Sequence, residues 1–286
     1  MGDNSRYYKV DKVMDDIYRI SNSFVGMTLV VGKEHALLFD TGYGFTDYTP
    51  VIRGITDLPL YIVNSHCHYD HAGGNYLFQG PVYVHEKELP VFEVHSSSDF
   101  RKHAIDTHRK VQKILFWAKS VPKDVDKEAY AAETFDNFAF IKEGDQFDLG
   151  GIKLEVVELP GHTAGSIGLF CAKKRVLLVG DAMNPNTWLY LPESTELSVY
   201  INTLKKAKRM EFDQMILSHQ KKPVPKSAID EYIAVAEDPD FANGKIQKED
   251  IYAPGVESRR CFQKGIRSTK KKASIVISKD KIDING

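Results

Sequence analysis

The chain has 286 residues, 42% hydrophobic and 27% charged, a mixture that suits a folded globular protein and excludes a disordered or fibrous one. Its 38 Lys and Arg against 39 Asp and Glu leave a formal net charge of −1, which argues against a surface built throughout for nucleic acid or an anionic membrane. Three widely spaced cysteines, no apolar run near the roughly 18 residues of a membrane span and an N-terminus without a signal-peptide profile lead us to expect a reduced, cytoplasmic protein.

Short apolar runs bounded by Gly, Pro, Asn or Asp read as strands at 27–31, 36–39, 60–63, 82–84, 152–159, 176–179 and 215–217. Three stretches read as helices. Residues 98–118 open on Ser-Ser-Asp as an N-cap and carry Ile105, Val111, Ile114 and Leu115. Residues 197–209 place Leu197, Tyr200, Leu204 and Ala207 at three-to-four spacing, and residues 226–236 follow Pro225 with Ile229, Ile233 and Ala236 on one face. Interleaved strands and helices indicate an α/β or α+β protein. The stretch 237–255 is rich in Pro and Gly, yet 273–277 beyond it still reads as a strand in need of a partner. We therefore expect one domain over 1–286, with a helical insertion at 90–130 and a C-terminal extension at 238–286.

The chemistry concentrates in Asn64-Ser65-His66-Cys67-His68-Tyr69-Asp70-His71-Ala72-Gly73-Gly74, directly after the apolar run 60–63. Four potential metal ligands fall within six residues at a strand end, and imidazole with carboxylate suits zinc, or iron or manganese. Three further apolar runs each lead into a residue of ligand type. Residues 152–159 precede Pro160-Gly161-His162-Thr163-Ala164-Gly165-Ser166, 176–179 precede Gly180-Asp181, and 215–217 precede Ser218-His219. Five of the ten histidines occupy these strand ends, which a sheet would align along one edge. Cys67, between two ligands, reads as a small packed residue.

The series His66-x-His68-x-Asp70-His71, then His162, Asp181 and His219, resembles the metallo-β-lactamase-fold hydrolases, and most of all their dinuclear glyoxalase-II-like and lactonase-like branches. The resemblance covers about residues 20–220. It implies a four-layer αββα sandwich with the metals at one edge. It also implies that His66, His68 and His162 hold a first divalent ion, that Asp70, His71 and His219 hold a second, and that Asp181 bridges the two. The β-lactamase branch lacks that bridging carboxylate, and His68 stands where the flavodiiron branch has a glutamate. Asp40, in Phe39-Asp40-Thr41-Gly42, matches an acidic position that supports the site from behind a ligand histidine.

Two metals sharing a hydroxide would supply a nucleophile at neutral pH and stabilise the oxyanion of a small thioester, lactone or lactam substrate. Serine nucleophiles at Ser65 or Ser218 are the weaker reading, because the neighbouring histidines serve better as ligands and no Gly-x-Ser-x-Gly occurs. A phosphodiesterase or nuclease and an iron-dependent sulfur dioxygenase are the alternative activities of the same fold. Lactonase-like relatives commonly carry a tyrosine shortly after the bridging aspartate, where this chain has Asn184, with Tyr190 further on. Aromatic residues of 90–130, including Trp117, and of 183–190, including Trp188, are candidates for the pocket wall. The remaining histidines of 90–130 read as solvated helix residues. Seven basic residues between Arg259 and Lys272 read as a solvated face.

Overall fold

Continuous apolar runs, rather than alternating ones, mark strands covered on both faces, and this governs the centre of the first sheet. In the computed structural model, residues 7–22, 24–115, 118, 121–247, 253–265 and 273–282 are described. The chain forms two compact units, Met1–Glu155 with Ser218–Lys222, and Val156–Leu217 with Pro223–Gly286.

The first unit carries a seven-stranded sheet whose strands lie in sequence order: β1 (Lys9–Met14), β2 (Ile17–Asn22), β3 (Val25–Val31), β4 (Ala36–Phe39), β5 (Leu60–Val63), β6 (Val82–Val84) and β7 (Phe138–Phe140). β1 to β4 run antiparallel through tight connections, whereas β4, β5, β6 and β7 are parallel neighbours. Parallel neighbours require crossovers, and helices supply them. They are α1 (Thr49–Arg53), α2 (Tyr69–Ala72), α3 (Leu89–His95), α4 (Ser98–Ile114) and α5 (Lys127–Ala132). Met27, Leu29, Ala36, Leu38, Tyr48, Ile52, Ile62 and Val82 form the buried core between sheet and helices. The register pairs Phe39 with Val63, so β4 and β5 end together and the chain leaves both at one edge. β8 (Gln146–Asp148) then pairs with the start of β9 (Lys153–Glu158), the strand through which the chain enters the second unit.

In the second unit β9 is followed by β10 (Ile167–Cys171), β11 (Val176–Gly180), β12 (Asn186–Leu189), helix α6 (Leu197–Arg209), β13 (Gln214–Leu217), β14 (Val224–Pro225) and helix α7 (Ala228–Glu237). The order across the sheet is β14-β13-β11-β10-β9, with β11 and β13 parallel. Leu197, Tyr200, Leu204 and Ala207 pack into one core with Ile229, Val235 and Ala236, as their helical spacing requires. The C-terminal residues build a further sheet. β15 (Lys245–Ile246), β16 (Ser258–Cys261) and β17 (Ser274–Ser278) continue from β12 in the order β12-β17-β16-β15. β17 is the strand expected at 273–277, and its partners are β12 and β16.

The mixed α/β class stands. The first long helix ends at Ile114, short of Ala118, and Phe116 and Trp117 lie outside the described residues, as do Arg267, Lys270, Lys271 and Lys272. Among the described residues no helix is long and apolar enough to cross a membrane.

Gly44 shows how tightly the turn after β4 is packed. Its φ is +66°, and a Cβ there would lie 2.5 Å from the Gly74 Cα and 2.7 Å from the Gly73 oxygen. Gly44→Ala should therefore destabilise the fold by more than the roughly 1–2 kcal/mol that a left-handed L-residue costs, read as a lowered urea midpoint. An unchanged midpoint would contradict this packing.

Candidate metal centre

A buried carboxylate persists only where hydrogen bonds replace its lost hydration. Asp40 is fully buried, directly after β4, in a left-handed conformation with φ 69°. Its nitrogen donates to the Val63 oxygen at 2.8 Å, which ties the end of β4 to the end of β5. Its carboxylate accepts from the Ser65 nitrogen at 2.7 Å, the Ser65 hydroxyl at 3.0 Å, His71 Nδ1 at 2.8 Å and the Ser218 hydroxyl at 3.3 Å. Four donors from three segments thus meet on one side chain.

These bonds decide which ring nitrogens face outward. A histidine nitrogen bonded to a carboxylate or carbonyl oxygen must carry the proton, which leaves the other nitrogen with its lone pair. His71 donates from Nδ1 to Asp40, so Nε2 keeps the lone pair. His66 Nδ1 lies 2.9 Å from the Ser65 oxygen, whose own hydrogen goes to Asp40, so His66 donates from Nδ1 as well. His219 Nδ1 donates to the Phe24 oxygen at 2.9 Å. That residue belongs to the short segment Ser218–Lys222, which is stitched to the first sheet by Gly26 and Arg19, each donating to the Ser218 oxygen at 2.9 Å.

The first unit brings five of the expected ligands together. Asp70 Oδ2 lies 3.5 Å from His71 Nε2 and 3.4 Å from His219 Nε2, and these three residues form a group able to hold an ion. His66 Nε2 faces His68 Nδ1 at 3.1 Å, and the His66 and His71 rings lie 4.1 Å apart. Around a tetrahedral ion with N and O ligands at about 2.0–2.2 Å, neighbouring ligand atoms sit roughly 3.3–3.6 Å apart. The donor set and its spacing fit a divalent metal.

In the second unit, β9 leads through Pro160 and Gly161 to His162. That residue is buried and donates from Nδ1 to the Trp188 oxygen at 2.9 Å, again leaving Nε2 with the lone pair. Its own carbonyl accepts from the Ser194 hydroxyl at 2.8 Å. A Cβ on Gly161 would lie 2.6 Å from the Tyr200 ring, so only glycine lets the chain approach α6 so closely. Asp181 is half-buried and follows Gly180, where β11 shifts register against β13.

Several neighbouring expectations receive a different setting. His95 and His108 are buried in the first unit rather than solvated, while His103 is exposed. Val91 and Phe92, on the helix that carries His95, pack with Cys67 and Ala72. His108 Nε2 lies 3.2 Å from the Tyr69 hydroxyl, and burial pulls that imidazole down to about 4, against a smaller opposing pull from Asp70. Met183 is a core residue of the second unit, and the Trp188 side chain packs against Tyr190, Leu191, Ala253 and Val276. Asn184 organises its own turn, accepting from the Asn186 nitrogen at 3.2 Å. Cys67 packs with Ala72, Val84, Val91 and Phe92, and burial pushes its thiol well above the usual range. The Ser65 and Ser218 hydroxyls are both spent on Asp40. Sequence reasoning missed Glu88, a fully buried carboxylate that accepts from the Cys67 nitrogen at 2.8 Å. An acidic residue in a short charged run, Glu86-Lys87-Glu88, gives no outward sign of such burial.

The family model of the metallo-beta-lactamase superfamily matches residues 23–219, and the chain belongs to that superfamily, as its motifs implied. Members of the superfamily are metallohydrolases. Over 224 residues the chain is 25% identical to the acyl-coenzyme A thioesterase MBLAC2 of Bos taurus, spanning 70% of this chain and 75% of that protein. It is 28% identical over 172 residues to the probable metallo-hydrolase MJ0888 of Methanocaldococcus jannaschii, spanning 57% of this chain and 67% of that one. The metallo-beta-lactamase from Pontibacter korlensis shares the fold, with a TM-score of 0.56, 18% identity, and coverage of 80% of this chain and 99% of its own.

If Asp40 sets the ligand tautomers, Asp40→Ala should weaken divalent-metal binding by about 10–100-fold, the usual effect of losing such an outer partner. Metal titration followed by calorimetry checks this, and parental affinity in the folded variant would refute it.

Proposed function

We propose that this protein is a dinuclear metal-dependent hydrolase of a small ester-type bond, with a thioester as the leading substrate class. The observation that carries the metal reading is the convergence of Asp70, His71 and His219 with ring nitrogens already oriented by Asp40 and Phe24. The ligand sequence supports two ions. In this reading His66, His68 and His162 hold the first, Asp70, His71 and His219 hold the second, and Asp181 is shared by both. Histidine with carboxylate favours zinc among the common divalent metals, with iron or manganese as the other occupants.

When bound, such ions lower the pKa of a bound water and polarise the substrate carbonyl. This chain's own residues supply the rest. Asp40 and Ser65 keep His66 and His71 in the tautomer that offers Nε2, so no rearrangement is needed when a ligand arrives. The Asp181 carboxylate would offset one of the four positive charges that two divalent cations bring. Serine chemistry is disfavoured because the candidate hydroxyls hydrogen-bond to Asp40. We rank thioesters first because of the likeness to an acyl-coenzyme A thioesterase, and Asn184, where lactonase-like relatives carry a tyrosine, counts against a lactone.

The test is a panel of acyl-coenzyme A thioesters, lactones, β-lactams and phosphodiesters, assayed on protein purified without added metal and again after chelation. We expect thioester hydrolysis that chelator abolishes and metal restores. His68→Ala and Asp181→Ala should each lower it by more than about 100-fold, beyond the usual effect of an outer-partner loss, with unchanged circular dichroism. Activity on phosphodiesters alone, or chelator-resistant turnover, would overturn the proposal.

A further inference from the structure

Outside sheets and long helices, backbone N–H groups find no ladder partner and must be satisfied by side chains or water. The metal loop 66–73 is such a stretch, containing only the single turn α2. On one side it is held by the β4 end, through Asp40 and through Thr41, whose nitrogen donates to the His71 oxygen at 2.7 Å. On its other side the helical segment supplies the partners. Glu88, at the N-cap of α3, accepts from the Cys67 nitrogen at 2.8 Å. His95, at the last position of α3, accepts through Nδ1 from the Tyr69 nitrogen at 3.3 Å. Two turns of helix separate these acceptors, which puts them on one face. Arg101, buried in α4, donates from Nη1 to the Gly73 oxygen at 3.3 Å and lies 4.9 Å from the Tyr130 ring centre.

The peptide groups bonded to Glu88 and His95 bracket two residues, Cys67 and His68. His68 is itself the N-cap of α2, extended at φ −63° and ψ 150°, with no capping bond from its own side chain. Its ring stacks on the His95 ring, with centroids 4.7 Å apart and planes inclined by 23°. The backbone nitrogens of the residues before and after His68, and the face of its ring, are thus held by the same short helix and its cap.

We propose that Glu88 and His95 are positioning residues for His68, so that residues 88–95 act as a template for the first metal position. The proposal rests on the reading that His66 and His68 hold an ion. It gives the start of the helical insertion a role distinct from lining a substrate pocket. Glu88 acts through the loop backbone. His95 acts through both backbone and ring, and because its Nδ1 accepts, its neutral form carries the proton on Nε2.

Cobalt(II) titration of the full-length chain tests this, with visible absorption reporting the ligand field and calorimetry the affinity. Glu88→Ala and His95→Phe, which remove the acceptors while the latter keeps a ring against His68, should weaken binding by about 10–100-fold and alter the spectrum. Glu88→Gln keeps an acceptor in the same place and should recover most of the affinity, and His95→Asn, which keeps the acceptor without the ring, should recover part of it. Circular dichroism identifies folded variants, and if Glu88→Ala does not fold, His95→Phe against His95→Asn decides. A merely structural role would lower the melting temperature and leave cobalt affinity and spectrum as in the parent, which would overturn the proposal. So would a conservative variant that loses as much as its disruptive counterpart. A parent chain that binds no cobalt would refute the underlying metal reading as well.

Discussion

The buried carboxylate of Asp40 is the constraint on which the site depends. Burying it without partners would cost several kcal/mol, and the chain meets that demand with donors from the loop after β5, from the helical turn at His71 and from the segment at Ser218. The same bonds that keep the charge buried fix the orientation of His66 and His71. Its left-handed backbone is a local strain of the kind that the surrounding hydrogen bonds can hold in place, and aspartate tolerates that region better than most residues.

That convergence follows from strand register. β4 and β5 are parallel and end in step, so the residue after Phe39 and the residues after Val63 emerge side by side. Ligand-bearing loops at the carboxyl ends of parallel strands are a general outcome of such sheets. The second unit repeats the device with β11 and β13, which end in step at Gly180 and Leu217. A site built on strand ends keeps its polar side chains off the apolar core, so one of them can be replaced without opening a cavity there.

The strands that bear the ligands were legible because burial on both faces makes them continuous apolar runs: 60–63, 176–179 and 215–217 are β5, β11 and β13 with small shifts of boundary. Of the five ligand-type residues that meet in the first unit, four are crowded within 66–71 and His219 comes from a distant strand end. What escaped was structure whose cause is tertiary. β1, Lys9-Val10-Asp11-Lys12-Val13-Met14, is an exposed edge strand with no apolar run, and β16 carries two arginines, so pairing alone makes them strands. The helix that begins at Ser98 stops at Ile114 although apolar residues continue. In its last turn Gln112 donates from Nε2 to the Val121 oxygen at 3.0 Å. His95 read as a solvated helix residue and Glu88 and Arg101 gave no signal at all, because nothing in a sequence reveals which backbone groups of a distant loop lack partners.

The most direct test of this account is anomalous diffraction at the metal edge from crystals of metal-loaded protein. Two peaks should stand in the ligand cluster, one against His66 and His68 and one against Asp70, His71 and His219, with His71 Nδ1 still bonded to Asp40. A single peak elsewhere in the molecule, or a His71 ring turned so that Nδ1 binds the ion and Asp40 is released, would contradict it.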